Sequence, residues 1–296
     1  MTPEPANRQP PAAPAAGLSW RCRAQAFELG ERALVMGVVN ITPDSFSDGG
    51  RFLDPAAAIA HARKLVAEGA DLLDLGAEST RPGSTSVPAD QQLSRLMPVL
   101  EALVADGACV SIDTSHVTVA RAALAAGARV VNDVSALGDP DMAGVVAAAG
   151  AGLVLMHMQG TPATMQRSPH YEDAAREVRE FLAERLAAAR AGGIAAECVA
   201  LDPGIGFGKS LEHNLQLIAR LDELAELGRP IVLGASRKSF LGRLLGDAPP
   251  GERLEGGIAA AAIAAFLGAR VIRTHDVAAT VRAVRVAAAA ATARRR

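Results

Sequence analysis

Eight short apolar runs recur along the chain, and each is followed by polar residues and then by a segment with helical spacing. Such short runs are typical of strands buried on both faces. Strict alternation of strands and helices predicts parallel strands joined by crossover helices, and eight units predict a (β/α)8 TIM barrel. A doubly wound open sheet is the alternative, disfavoured because polar residues follow every strand. The runs are residues 33–39, 71–76, 109–112, 129–131, 152–156, 198–201, 231–233 and 269–272.

The barrel accounts for most of the 296 residues, and roughly 250 residues are usual for such a barrel folding as one domain. Residues 1–17 are rich in Pro and Ala, which predicts a disordered tail. Residues 18–32 alternate weakly and predict a short N-terminal hairpin. The barrel is therefore placed at residues 33–290, and residues 291–296 are expected to form a flexible C-terminal tail.

Deletion of residues 1–16 is expected to leave the melting temperature and the activity nearly unchanged. A segment of this composition buries little apolar surface, so its removal costs the folded state little. Thermal unfolding and turnover of the shortened chain measure this directly. A large fall in either quantity would show that the tail docks on the barrel.

Charge and cysteine usage restrict the partners and the compartment. A net charge of −2 gives no argument for binding nucleic acid or an anionic membrane. No stretch of about 18 uncharged apolar residues is present, so no membrane span is expected. The cysteines Cys22, Cys109 and Cys198 lie far apart without CxxC spacing, which predicts buried free thiols. We therefore expect a cytoplasmic protein with neither a nucleic-acid nor a membrane partner.

The polar residues that follow the strands are the candidate site, because the carboxyl ends of barrel strands surround one mouth. Carboxylate oxygens accept hydrogen bonds from amino and ring N–H groups, and a carboxamide both donates and accepts. Asp113, Asp202 and Asn132 therefore suit a planar heterocycle rich in N–H donors. Lys238 suits a ring carbonyl or nitrogen. A helix N-cap is the structural alternative for Asp113.

A second group at the same rim suits an anion. Arg81, Arg273 and His275 bring positive or donor groups, although single surface arginines are usually solvated or paired. Asn40 offers an amide oxygen, which is a hard ligand suited to magnesium. Together these residues suit a diphosphate with its metal ion.

Two further features are less specific. The segment Gly204-Ile205-Gly206-Phe207-Gly208-Lys209 contains GxGxG, but it lacks GxGxxG and the P-loop pattern and follows the sixth strand rather than the first. We therefore reject a nucleotide fingerprint and expect these glycines to let the backbone approach a ligand. His157 follows the fifth strand, where a satisfied core histidine is favoured over a ligand.

Eight segments of the chain resemble the signatures of dihydropteroate synthases, folate-pathway enzymes that sulfonamides inhibit. The resemblance runs from about residue 34 to residue 286, in order and at family spacing, and no motif residue is missing. The segments are NITPDSFSDGG at 40–50, DLGAESTRPG at 74–83, SIDT at 111–114, ND at 132–133, LMHMQG at 155–160, DPGIGFGK at 202–209, SRKS at 236–239 and RTHDV at 273–277.

The resemblance implies a (β/α)8 barrel, usually a homodimer, that condenses 6-hydroxymethyl-7,8-dihydropterin diphosphate with 4-aminobenzoate. The products would be 7,8-dihydropteroate and diphosphate, with Mg²⁺ as the cofactor and Asn40 as its ligand. By position, the pterin would be held by Asp113, Asn132, Asp202 and Lys238. The diphosphate would be held by Asn40, Arg81, Arg273 and His275. The aminobenzoate pocket would be formed by Thr80, Pro82, Phe207, Lys238 and Ser239.

Two other functions share parts of this pattern. A corrinoid-type methyltetrahydrofolate-binding domain has the same barrel and acidic floor, but the segments 79–83 and 236–239 and the lack of a cobalamin domain argue against it. A non-catalytic pterin-binding paralogue is the other alternative, and the intact motifs argue against that.

Overall fold

The computed structural model describes residues 17–30, 32–42, 54–79, 84 and 86–294. The tail predicted at residues 1–17 therefore lies outside the described residues except for Gly17. Among the described residues, eight parallel strands form the barrel and a two-stranded antiparallel sheet precedes it. The predicted barrel and the predicted hairpin are both confirmed.

After the hairpin strands β1 (Ser19–Cys22) and β2 (Gln25–Glu28), the barrel strands are β3 (Leu34–Asn40), β4 (Leu72–Gly76), β5 (Val110–Asp113), β6 (Val130–Asp133), β7 (Gly152–Met156), β8 (Val199–Asp202), β9 (Val232–Leu233) and β10 (Val271–Thr274). The barrel strands are hydrogen-bonded in the order β8-β7-β6-β5-β4-β3-β10-β9. A parallel bridge between Leu201 and Ile231 joins β8 to the residue before β9 and closes the ring. This closure excludes the doubly wound open sheet.

The helices pack around the strands, and their apolar faces form the larger of two cores. The pair Asp54-Pro55 predicts the start of a helix, and helix α1 (Pro55–Ala67) begins there, because the Asp54 side chain accepts from the Ala56 N–H and Pro55 fits the first turn. The helices are α1 (Pro55–Ala67), α2 (Ala89–Ala105), α3 (Val117–Ala125), α4 (Met142–Ala149), α5 (Ala174–Ala191), α6 (Leu211–Ala219), α7 (Leu221–Ala225), α8 (Ser239–Leu244), α9 (Leu254–Phe266) and α10 (Val277–Arg294).

Three features of the helices differ from what the sequence predicts. The spacing of apolar residues predicts one helix over residues 211–227, but two helices meet there at Arg220, whose φ of −118° departs from helical geometry. The short helix α8 was not predicted. Helix α10 continues past the boundary at residue 290 to Arg294, and residues 295–296 lie outside the described residues.

The hairpin closes the N-terminal end of the barrel. Trp20 is fully buried there, and its Nε1 donates to the Cys198 carbonyl at 2.9 Å. Trp20 and Leu29 form a second core with residues that open the barrel strands, such as Leu34 and Leu72. A ligand is therefore excluded from this end, and the chemistry of the strand ends faces the opposite mouth.

The cysteines and the helices agree with two further expectations from the sequence. Cys22, Cys109 and Cys198 are all buried and free. Of the helices in the described residues, none combines the length and apolarity needed to cross a membrane.

Candidate active site

One row of residues crosses four neighbouring strands at the C-terminal mouth. In the strand register, Asn40 of β3 pairs with Gly76 of β4, Gly76 with Asp113 of β5, and Asp113 with Asn132 of β6. Register partners in a parallel sheet face the same side. Three predicted site residues therefore lie side by side, with a glycine between the first two.

Gly76 leaves open the space between Asn40 and Asp113. A Cβ at this glycine would lie 3.8 Å from Asn40 Oδ1 and 3.8 Å from Asp113 Oδ2. Two oxygen acceptors thus face one small open space above Gly76, here called the cradle. Any larger side chain at position 76 would fill it.

Arg273 of β10 lies against this row and is held by two carboxylates. Its Nε donates to Asp74 Oδ2 at 2.7 Å, and its Nη2 donates to Asp113 Oδ2 at 3.0 Å. Asn132 Nδ2 donates to the same Asp74 oxygen at 3.0 Å. Asp113 makes no cap to helix α3, whose first turn lacks a side-chain cap. The helix-cap alternative for Asp113 is therefore wrong.

Burial and neighbouring charges shift the pKa values of Asp113 and Arg273. Burial, and then the charge of Asp74, raise the pKa of Asp113 to about 7, although Arg273 opposes the shift. Burial alone would lower the pKa of Arg273, but Asp74 and Asp113 together raise it above its ordinary value. Arg273 is therefore charged at every physiological pH, whereas Asp113 can exchange a proton near neutrality.

Asp202 and Lys238 lie on the other side of the mouth. Asp202 is 6% exposed, and its Oδ1 accepts from the Gly204 N–H at 2.7 Å. Burial raises the pKa of Asp202 against the charge of Lys238. Burial lowers the pKa of Lys238 to about 8, with Asp202 opposing. Lys238 Nζ donates to the Ile205 carbonyl and lies 4.4 Å from the centre of the Phe207 ring.

Two glycines of the loop after β8, Gly204 and Gly208, admit protein backbone, whereas the sequence led us to expect a ligand there. Gly204 has a φ of +67°, and a Cβ there would lie 1.9 Å from the His157 carbonyl oxygen. Gly208 has a φ of +61°, and a Cβ there would lie 2.5 Å from the Gln159 carbonyl oxygen. The loop after β8 is therefore pressed against the loop after β7.

His157 is a core histidine, as favoured from the sequence. It is 6% exposed, and its Nδ1 lies 2.9 Å from Nζ of Lys209, which also donates to the Phe207 carbonyl at 2.9 Å. Burial and the nearby Lys209 lower the pKa of His157 to about 3. The ring is therefore neutral and supports the loop that carries Phe207.

The remaining predicted site residues lie at the rim of the barrel mouth or outside the described residues. His275 follows β10, with its Nδ1 3.1 Å from Ser236 Oγ, and its backbone N–H donates to that oxygen at 3.3 Å. Ser239 is exposed at the start of α8. The predicted site residues Thr80, Arg81 and Pro82 lie outside the described residues.

Sequence reasoning missed Asp74, which joins Arg273 to Asn132. It is fully buried, and it sits between leucines in β4. A carboxylate inside an apolar run is costly unless it is paired, and this was the signal that could have identified it. Among the described residues, no group of three or more His, Cys, Asp or Glu side chains is arranged to hold a metal ion.

Comparison with known proteins identifies the family. Residues 36–275 match the family described as "Pterin binding enzyme". The chain is 45% identical to the dihydropteroate synthase of Escherichia coli K12 over 261 residues, which cover 88% of this chain and 92% of that protein. The chain belongs to the dihydropteroate synthase family.

Two solved dihydropteroate synthase structures from Xanthomonas albilineans show the same architecture. One, with 4-aminobenzoic acid, has a TM-score of 0.86 at 47% identity and covers 93% of this chain and 98% of its own. The other, in complex with 7,8-dihydropteroate, has a TM-score of 0.82 at 45% identity and covers 92% of this chain and 98% of its own. The resemblance read from the motifs is confirmed, and these relatives give no support to the corrinoid or paralogue alternatives.

Proposed function

We propose that the barrel mouth of this chain holds the pterin ring on an acidic floor while 4-aminobenzoate displaces diphosphate. The row of Asn40, Gly76, Asp113 and Asn132 is the observation that carries this proposal, since it sets acceptors side by side across four strands. Asp202 faces the same mouth from β8. The pterin amino group and ring N–H groups would donate to Asp113, Asn132 and Asp202, and Lys238 would donate to a ring acceptor.

The charges suit a step in which the leaving group departs early. Arg273 and His275, with Arg81 from outside the described residues, would donate to the diphosphate and stabilise its growing negative charge. The carboxylates of Asp113 and Asp202 would stabilise positive charge on the pterin methylene. The amine of 4-aminobenzoate then attacks that carbon, so the chain needs no nucleophile of its own.

The aminobenzoate pocket would lie beside Lys238. Phe207 stacks under the ammonium of Lys238, and Ser239 opens the adjacent helix α8. Thr80 and Pro82 would complete the pocket. The known inhibition of the family by sulfonamides would then apply to this chain, and competition between sulfanilamide and 4-aminobenzoate tests it.

The residues present suit a magnesium ion that arrives with its substrate. Asn40 Oδ1 lines the cradle above Gly76, and magnesium commonly takes one protein oxygen, waters and substrate phosphates. When bound, the ion would offset charge on the departing diphosphate.

Removal of the metal is therefore expected to stop the reaction. With both substrates present, exhaustive chelation should reduce dihydropteroate formation to background, and added Mg²⁺ should restore it. Asn40→Ala should raise the Mg²⁺ concentration that gives half-maximal rate. Full activity after chelation would remove magnesium and Asn40 from this account.

The pH dependence of kcat/KM should follow the ionisation of Asp113, Asp202 and Lys238. Asp113 must lose its proton, with a pKa near 7, and Lys238 must keep its own, with a pKa near 8. The raised pKa of Asp202 adds to the acidic limb. We expect kcat/KM for pterin diphosphate to peak between about 7 and 8 and to fall on both sides. A flat profile from pH 6 to pH 9 would contradict these protonation states.

We also propose a homodimer in the cytoplasm. Ile263 on α9 is 49% exposed and Val286 on α10 is 71% exposed, so apolar surface remains on two neighbouring helices. Light scattering should give twice the chain mass of 30.4 kDa; a monomer would refute the dimer. The buried free thiols support a reducing compartment, which fractionation of the native cells tests.

A further inference from the structure

Asp74 connects two residues that are proposed to hold different parts of one substrate. Its Oδ2 accepts from Arg273 Nε, on the diphosphate side, and from Asn132 Nδ2, on the pterin side. Its Oδ1 is buried and has no hydrogen-bond partner among the described residues. Asp74 therefore anchors Arg273 through Nε.

A second nitrogen of Arg273, Nη2, occupies an acceptor that the pterin ring would use. Nη2 donates to Asp113 Oδ2 at 3.0 Å, and the Asp113 side chain is only 12% exposed. While this bond persists, Asp113 Oδ2 has one lone pair fewer for the pterin, and Nη2 has one N–H fewer for the diphosphate. Both proposed roles therefore compete with the Arg273–Asp113 bond.

We propose that Asp74 is a positioning residue on which Arg273 pivots. Nε stays on Asp74, while Nη2 passes from Asp113 to the diphosphate as the pterin ring takes its place. This inference rests on the proposed function and adds to it that one guanidinium couples the two halves of the substrate site.

The pivot predicts cooperative binding of the two halves. A pterin alone or a diphosphate alone competes with the Arg273–Asp113 bond, whereas the second ligand meets a bond that the first has already displaced. By linkage, each ligand raises the affinity of the other by the same factor. We expect a factor of about ten, within the range of roughly 5 to 150 usual for coupled sites.

Calorimetry on the full chain measures this factor. Inorganic diphosphate with Mg²⁺ is titrated with and without saturating 6-hydroxymethylpterin, and the reverse titration checks reciprocity. A factor of about ten supports the pivot, and a factor of one overturns it. Failure of both ligands to bind would instead refute the proposed site itself. This test needs no variant, so it decides the proposal even if a substituted chain does not fold.

Variants then test whether Asp74 acts through Arg273. Arg273→Gln should reduce the coupling factor to about one. Asp74→Asn should weaken diphosphate binding at least tenfold in the unmodified chain, but less than twofold in the Arg273→Gln background. Equal losses in both backgrounds would show that Asp74 does not act through Arg273.

Asp133→Asn is the matched control. Asp133 is a buried carboxylate on β6, and within the described part of the chain its side chain accepts from its own loop, at Ser135 and Leu137. Its substitution should lower the melting temperature while both ligand affinities and the coupling factor stay unchanged. A loss of coupling in this control would show that any buried Asp→Asn change disturbs the mouth, which contradicts a specific pivot.

Discussion

Asp202→Asn is expected to abolish most pterin binding, although the substitution is nearly isosteric. The Gly204 N–H donates to Asp202 Oδ1 at 2.7 Å, so an asparagine would keep its oxygen on Gly204 and turn its amide nitrogen toward the mouth. A donor would then face a pterin donor. Loss of a charge-assisted bond and creation of this clash should cost about 2–4 kcal/mol, or roughly a hundredfold or more in affinity.

Calorimetric titration of a pterin analogue into both chains measures the loss. A helix-capping role would predict equal affinities, since asparagine caps about as well as aspartate. Ser210, however, provides the cap of the next helix, α6. Equal affinities would therefore mean that Asp202 only shapes its own turn, and that the acidic floor is wrong.

Arg273→Ala is expected to weaken binding and turnover of the pterin diphosphate strongly. The variant removes the only described arginine that contacts the row of acceptors, and its loss should raise KM for that substrate about a hundredfold or more. Steady-state kinetics at limiting pterin diphosphate measure the effect. Unchanged kinetics would remove Arg273 from the site.

The same variant is also expected to unfold more easily, which the sequence did not reveal. Asp74 and Asp113 would lose their shared partner inside the barrel, and breaking a buried ion pair costs about 3–5 kcal/mol. Burial already raises the pKa of Asp113, so its proton returns as the pH falls through about 7. The stability deficit should therefore shrink from pH 8 to pH 5; a deficit that grows toward acid pH would contradict this pairing.

The barrel and most of its mouth could be predicted because local patterns determine them. Short apolar runs specify strands, and closure of a parallel ring places every strand end at one mouth, so Asp113 and Asn132 are adjacent by register. The Asp54 cap of α1 is local in the same way.

What the sequence did not predict depends on contacts between distant segments. Asp74 and Arg273 lie 199 positions apart, and only ring closure brings them to 2.7 Å. The sequence suggested that Gly204 leaves room for a ligand, but the His157 carbonyl occupies that space. Likewise, nothing local in residues 18–32 shows that Trp20 seals the bottom of the barrel.

Direct detection of 7,8-dihydropteroate tests the central claim. The purified chain is incubated with 6-hydroxymethyl-7,8-dihydropterin diphosphate, 4-aminobenzoate and Mg²⁺, and both products are quantified by chromatography. The account predicts dihydropteroate and diphosphate in equal amounts and no dihydropteroate when either substrate is omitted. At limiting pterin, Asp202→Asn should lower the rate by roughly a hundredfold or more. No dihydropteroate from a folded chain with both substrates and the metal present would contradict it.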